Sequence, residues 1–298
     1  MSATGSTGAS PPTVARRRGG LAVLVLVPFA LLVLLFLLIP AVSLLVGSFH
    51  SSTASGLTLE NFGYLRGDDK SLQPFINSFV LSFGSMVTGG ALGLLVAQAL
   101  VSSRNRLLEQ LTITFSSVAA NFAGVPLAFA YIATIGVNGL ITRFLAGFGL
   151  DIYGAGFSLY TIAGLTLVYT YFQLPLMVLL MLPALQAVRP EWSEASDNLG
   201  ATRWRYVRSV VIPVLTPSLI ASLLLLFANS FGAYATAYAL TTGFVSLVPI
   251  KISNLVAGNV FFDPGQGDAL AVGLAVVMTI CVGGQALLQR RASRWLNR

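Results

Sequence analysis

Long apolar runs alternate with short polar islands along the whole chain. Six stretches, near residues 21–46, 75–100, 112–135, 158–185, 217–234 and 269–288, are dominated by Leu, Val and Ala. Each is close to or above the roughly 20 residues that a helix needs to cross a hydrocarbon core. A barrel strand would take about 10 residues with strict alternation, and these runs do not alternate. The pattern therefore predicts an all-α integral membrane protein with about six transmembrane helices.

Composition agrees, and charge adds an orientation. The chain is 55% hydrophobic and 9% charged with a mean hydropathy of +0.82, too few charges to cover the surface of a soluble globule. With the amino terminus placed in the cytoplasm, the inner segments hold Arg16, Arg17, Arg18, Arg104, Arg106, Arg189, Arg203, Arg205, Arg208, Arg290, Arg291, Arg294 and Arg298. The outer loops hold only Arg66, Lys70, Arg143 and Lys251. Basic residues gather on the cytoplasmic side of membrane proteins, so both termini are expected there, in a multi-pass protein of the cell membrane. The pI near 9.9 is explained by this asymmetry, and no basic surface interleaved with aromatics points to nucleic acid.

The first twenty residues, rich in Ser, Thr, Gly, Ala and Pro and closed by Arg-Arg-Arg-Gly-Gly, read as a disordered cytoplasmic tail. The apolar run after them outlasts the roughly 7–15 residues of a signal-peptide core and reads as a retained span. His50 has no Cys, Asp or Glu at ligand spacing, and the single Cys281 forms no internal disulfide and reads as a packing residue. No Gly-x4-Gly-Lys-Ser/Thr phosphate loop occurs, since Asp69 directly precedes Lys70. No catalytic, cofactor or metal residues are assigned, and the chain is not expected to be an enzyme. All ten carboxylates fall in loops or at span edges, whereas ion-driven carriers place ionisable groups inside the membrane. Neutral polar groups occupy the span interiors instead. Asn121, Tyr131, Gln173, Asn229 and Tyr234 are candidates to line a hydrated path, and the competing role for each is interhelical hydrogen bonding. Gly89, Gly90 and Gly93 permit close helix approach.

The polar island at 189–213 carries the most information. Pro190 suits a first helical turn, and the segment after it sets Trp192, Ala195 and Leu199 on one side with Glu191, Glu194 and Asp197 on the other. Gly200 stands where a helix commonly ends in a left-handed residue. A second short helix is expected to start at Thr202, a capable N-cap, with Trp204, Val207 and Val211 along one face, and to be broken by Pro213 and Pro217 before the fifth span. From the residues alone this is an interfacial helical hairpin or a docking element.

Read as Glu194-Ala-Ser, three residues, Gly200, nine residues, then Val210-Val-Ile-Pro213, the island resembles the EAA loop (Glu-Ala-Ala, x3, Gly, x9, Ile-x-Leu-Pro) of type I ATP-binding-cassette importer permeases. Ser196, Val210 and Ile212 depart conservatively from it. Leu182-Pro-Ala-Leu-Gln186, Gly136-Val-Asn-Gly-Leu140 and Leu57-Thr-Leu-Glu-Asn-Phe62 are similar to the same family. The resemblance implies a five-helix permease core over 75–288, preceded by a first helix and outer segment over 21–74 and followed by a cytoplasmic tail at 289–298. It implies ATPase coupling through Glu191, Glu194, Ala195, Gly200, Ala201, Trp204, Arg205 and Pro213. The partners it implies are a cytoplasmic ATPase dimer, a second permease, an external solute-binding protein and the lipid bilayer. The segment from Phe227 to Leu240 looks most like the polyamine, phosphonate, ferric-ion and sulfate permeases, with a spermidine/putrescine type as first expectation; Phe231, Tyr234 and Tyr238 would cradle an organic cation.

Overall fold

The computed structural model describes residues 18–50, 56–67, 69–103, 105–257 and 264–296; most of the amino-terminal tail expected over 1–20 lies outside them. Twelve helices can be followed among the described residues. They are α1 (18–48), α2 (Glu60–Gly67), α3 (Asp69–Ser103), α4 (Arg106–Asn121), α5 (Val125–Ile135), α6 (Leu140–Gly147), α7 (Ile162–Gln186), α8 (Pro190–Asn198), α9 (Arg203–Phe231), α10 (Ala235–Thr241), α11 (Val248–Ala257) and α12 (Pro264–Leu296). Six helical segments are long and apolar enough to cross a membrane. The carboxy-terminal tail expected at 289–298 is helical as far as Leu296, as the end of α12.

The bundle is built on α3 and α7, which run parallel. Lipid tails are as apolar as leucine, so such helices associate by close van der Waals packing and hydrogen bonds. Glycines on α3 allow that packing: a Cβ added at Gly89 would lie 2.5 Å from Gln173 Cβ, and one at Gly93 would lie 2.5 Å from Leu174 O. Hydroxyls add a second layer. Thr88 Oγ1 meets Thr170 Oγ1 at 2.6 Å, and Ser85 Oγ meets Ser230 Oγ at 2.8 Å, joining α3 to α7 and α9. Tyr169, Phe172, Leu81, Leu165, Leu127 and Ile250 fill the main core.

Two spans differ from expectation. The third, expected as one helix over 112–135, is broken between α4 and α5. Pro126 has no N–H for the Phe122 carbonyl, and Gly124 adopts φ 79°, ψ −149°, a region essentially reserved for glycine. The fifth, expected to begin at Pro217, runs unbroken from Arg203. Pro213 does not end it, because a π-turn at Val207–Val211 directly precedes it, with Ile212 N–H donating to Val207 O, and Pro217 stands inside the helix that continues to Phe231. A proline ring collides with the carbonyl four residues back, and the widened turn accommodates it.

Helix α1 also contains a π-turn, at Leu34–Leu38, and is held at its carboxy-terminal end. Asn61, 3% exposed, donates from Nδ2 to Ser48 O (3.0 Å) and His50 O (2.8 Å), capping the helix. Thr58 N–H donates to Phe49 O at 2.7 Å, and the Phe49 and Phe62 rings pack at 5.2 Å. Asn61 of the Leu57–Phe62 segment thereby satisfies the Ser48 carbonyl at the end of α1 and the His50 carbonyl just beyond it. Gly265 is needed beside it, since a Cβ there would strike the Asn61 amide. An apolar cleft of about 380 Å³, lined by residues such as Leu44, Leu45, Val272 and Val276, separates α1 from α12.

Candidate functional site

The 189–213 loop folds as its residues dictate. Pro190 opens α8, and the helix closes with Gly200 N–H donating to Asp197 O (2.9 Å) and Ala201 N–H to Ser196 O (3.0 Å). Those two bonds, with Gly200 at φ 67°, are a Schellman closure. A Cβ at Gly200 would meet nothing within 4 Å, so glycine is required there for its dihedral and not for space. Thr202 Oγ1 accepts from Arg205 N–H at 3.4 Å and starts α9.

The surface of this loop differs from the amphipathic hairpin expected. Only the edge carrying Trp192, Ser193 and Ser196 is half-buried, and no residue of α8 is fully buried. Ala195 is exposed, Leu199 is 86% exposed and Trp204 is 68% exposed. Trp204 does not share the half-burial of Val207 and Val211. Glu191, Glu194, Asp197, Arg189, Arg203, Arg205 and Arg208 have no ion-pair partner among the described residues. Behind the loop a cleft of about 440 Å³, lined by residues including Gln98, Val101, Leu185, Tyr206, Val207 and Val211, parts it from the spans. The loop therefore carries unpaired charges around exposed Leu199 and Trp204. Pro213 lies in the first turn after the π-turn and is exposed on α9.

A second constellation lies within the bundle, where two broken helices meet. Gly124 N–H, at the break between α4 and α5, donates to Thr236 Oγ1 at 2.7 Å. Tyr169 OH of α7 donates to Ala233 O at 2.9 Å, in the break between α9 and α10. Irregular backbone at membrane depth persists where protein buries it or where it lines a water-filled cavity. Asn121, three residues before Gly124, is exposed and donates from Nδ2 to Ser117 O at 2.8 Å. Tyr234 stacks on Tyr238 at 5.2 Å and accepts from Ser253 Oγ at 3.1 Å. Tyr234 thus adjoins the junction, and Asn121 precedes it by three residues at the end of α4. Asn229 is exposed on α9, one turn before the break, and Tyr131 is half-buried edge-on to Tyr171 at 6.1 Å. Gln173 is set apart: fully buried, it donates from Nε2 to Leu226 O at 2.7 Å and serves as an interhelical bond. Gly124, Thr236 and the Ala233 carbonyl were not anticipated; Gly124-Val-Pro126, a glycine just ahead of a proline inside an apolar run, is the signal that marks the break. No acidic or basic side chain occurs from 110 to 142 or from 209 to 250, so those segments bring no charge to the junction.

An α-helical membrane subunit with broken spans and a projecting loop is the class these features define. Residues 89–294 match the binding-protein-dependent transport system inner membrane component family, and the chain belongs to it. It is 32% identical over 160 residues to the sulfate transport system permease protein CysT of Salmonella typhimurium, a match covering 53% of this chain. There the chain spans about half of its relative's length, 54%. It is 26% identical over 265 residues to the sulfate transport system permease protein CysW of Synechocystis, covering 87% of this chain and 89% of that one. In fold it is similar to a chain of a bacterial ABC transporter involved in import of the acidic polysaccharide alginate, with a TM-score of 0.68 at 17% identity over 92% of this chain and 96% of the other.

Proposed function

We propose that the chain is the transmembrane permease subunit of an ATP-binding-cassette importer, with both termini cytoplasmic. The observation that carries this reading is the loop that stands clear of the bundle, its charges unpaired among the described residues and Leu199 and Trp204 exposed. In this reading Glu191, Glu194, Ala195, Gly200, Ala201, Trp204 and Arg205 seat in a cytoplasmic ATPase, one of a pair, and Pro213 sets the start of the spanning part of α9. Closure of the ATPases pulls on α8 and α9, and the pull reaches the junction because α9 runs unbroken from the loop to Phe231. A second permease completes the path, an external solute-binding protein delivers the solute, and ATP hydrolysis belongs to the ATPase.

For the solute we favour a small oxyanion of the sulfate class over the polyamine first expected. The junction has aromatic rings but no carboxylate to hold a di- or tri-cation. It does contain the amino-terminal end of α5, and helix amino termini favour anions. The sulfate permeases among the relatives support the same choice.

Purification in mild detergent with the encoded partners tests the coupling role. Wild type is expected to retain its ATPase; Leu199→Asp is expected to lose it while the second permease stays bound. Gly200→Asn, which tolerates the left-handed conformation, is expected to bind better than Gly200→Val. Retention of the ATPase by both Leu199→Asp and Gly200→Val would refute docking at this loop. In proteoliposomes with the binding protein, ATP-driven uptake of labelled sulfate is expected, and uptake of spermidine alone would return the substrate to the polyamine reading.

A further inference from the structure

At the carboxy-terminal end of the apolar segment from Val125 to Gly147, one helix presents an apolar stripe that nothing among the described residues covers. α6 starts at Leu140, a short turn after α5 ends at Ile135, with Gly139 N–H donating to Gly136 O at 2.8 Å. Thr142, 7% exposed, donates from Oγ1 to Ile135 O at 3.1 Å, and Tyr153 OH donates to the same carbonyl at 3.0 Å. Two side-chain donors on the last carbonyl of α5 hold α6 and the turn after it against the end of that span. On the side of the helix away from Thr142 lie Leu140 (74% exposed), Phe144 (66%) and Phe148 (72%), at spacings of four that form one stripe. Phe144 and Phe148 pack edge to face at 5.0 Å. Arg143 is the only ionisable residue between Leu140 and Leu150, and its position puts it at the border of the stripe.

We propose that α6 lies in the outer interface of the lipid bilayer, with Leu140, Phe144 and Phe148 at the boundary between headgroups and acyl chains and Arg143 reaching back to headgroup phosphates. Left in water, three large apolar side chains would forfeit the free energy that burial of their surface supplies. A surface that docks a soluble partner transiently is about as polar as ordinary protein surface, and this stripe holds no polar group. Its location points to lipid as well. The exposed positions of α5, Val125, Phe129 and Ala133, are followed by exposed Val137 in the turn that leads to α6. A helix with aromatics on one face and an arginine at its edge suits an interfacial position. The consequence for transport is mechanical: the outer end of α5 is moored in the membrane plane, so motion of this span is taken up at the Gly124 break.

Spin labelling of the full chain in phosphatidylethanolamine–phosphatidylglycerol vesicles, in a Cys281→Ser background, tests this placement. Labels at Phe144→Cys and Phe148→Cys are expected to show a ratio of oxygen to nickel-chelate collision several-fold higher than at Ala146→Cys, which is exposed on the other side. Equal nickel access at all three positions overturns the proposal. So does protection that appears only when the solute-binding protein or a second permease is added, since protein and not lipid then covers the stripe. Should the cysteine variants misfold, Phe144→Trp read against wild type gives the same decision, with quenching by brominated lipid expected and quenching only by aqueous acrylamide overturning it.

Discussion

The first span and α7 are both long apolar helices, yet they relate to the rest of the protein in opposite ways. The apolar stretch of α1, the most hydrophobic of the six, buries none of its residues, whereas 56% of the corresponding stretch of α7 is buried. α7 is the less hydrophobic of the two and carries Thr166, Tyr169, Thr170 and Gln173. In water the order would be reversed, since apolar residues seek the interior. In a bilayer, lipid satisfies a leucine as well as a protein neighbour does, so a helix enters the bundle through small residues and polar bonds. Apolar character here marks the lipid- or partner-facing helix, and polar character marks the core.

Substitutions can break or sharpen this contrast. The largest effect is expected at the α3–α7 contact, where Gly89→Leu would drive a side chain into Gln173 and cost about 3 kcal/mol, the upper end for overpacking, seen as unfolding at lower denaturant in mixed micelles. Next, Asn61→Ala leaves Ser48 O and His50 O without a donor at about 1–3 kcal/mol. Its readout is faster amide exchange at Phe49 and Thr58, with the exchange of α7 unchanged. Smaller still, Tyr169→Phe frees the Ala233 carbonyl and is expected to cost about 1 kcal/mol, given the modest worth of hydrogen bonds inside membranes, by the same unfolding measurement. The smallest belongs to α1: Phe36→Leu, at an exposed position, is expected to stay within about 0.5 kcal/mol. A cost at Phe36 equal to that at Gly89 would sink the contrast and mean that α1 is packed against protein in the isolated chain.

Much of the architecture was legible in sequence because the rule behind it is local. A hydrocarbon slab demands a run of given length, so the existence of six spans follows from composition windows, and the glycines of α3 announce close packing. Gly200 was equally legible, since a Schellman closure is written within six residues. The break in the third span was missed because an apolar window averages over Gly124 and Pro126. The unbroken start of α9 was missed because prolines ordinarily end a helix, and the π-turn that precedes Pro213 has no sequence signature of its own. The exposure of Ala195 and Leu199 was missed for another reason: periodicity gives a helix an apolar face but does not say whether anything is there to cover it.

The sequence by itself determined the class of protein, the number of its long apolar helical segments, and the turn at Gly200. Each of these depends on residues close together in the chain or on counts. Only the tertiary structure decided that Gly124 meets Thr236, that Tyr169 reaches Ala233, that Asn61 caps a helix 13 residues away at Ser48, and that α8 projects with its charges unpaired among the described residues. Those outcomes depend on which helices become neighbours, and in a membrane that choice is made by a few close contacts and hydrogen bonds between distant residues, not by the hydrophobicity that fills the sequence.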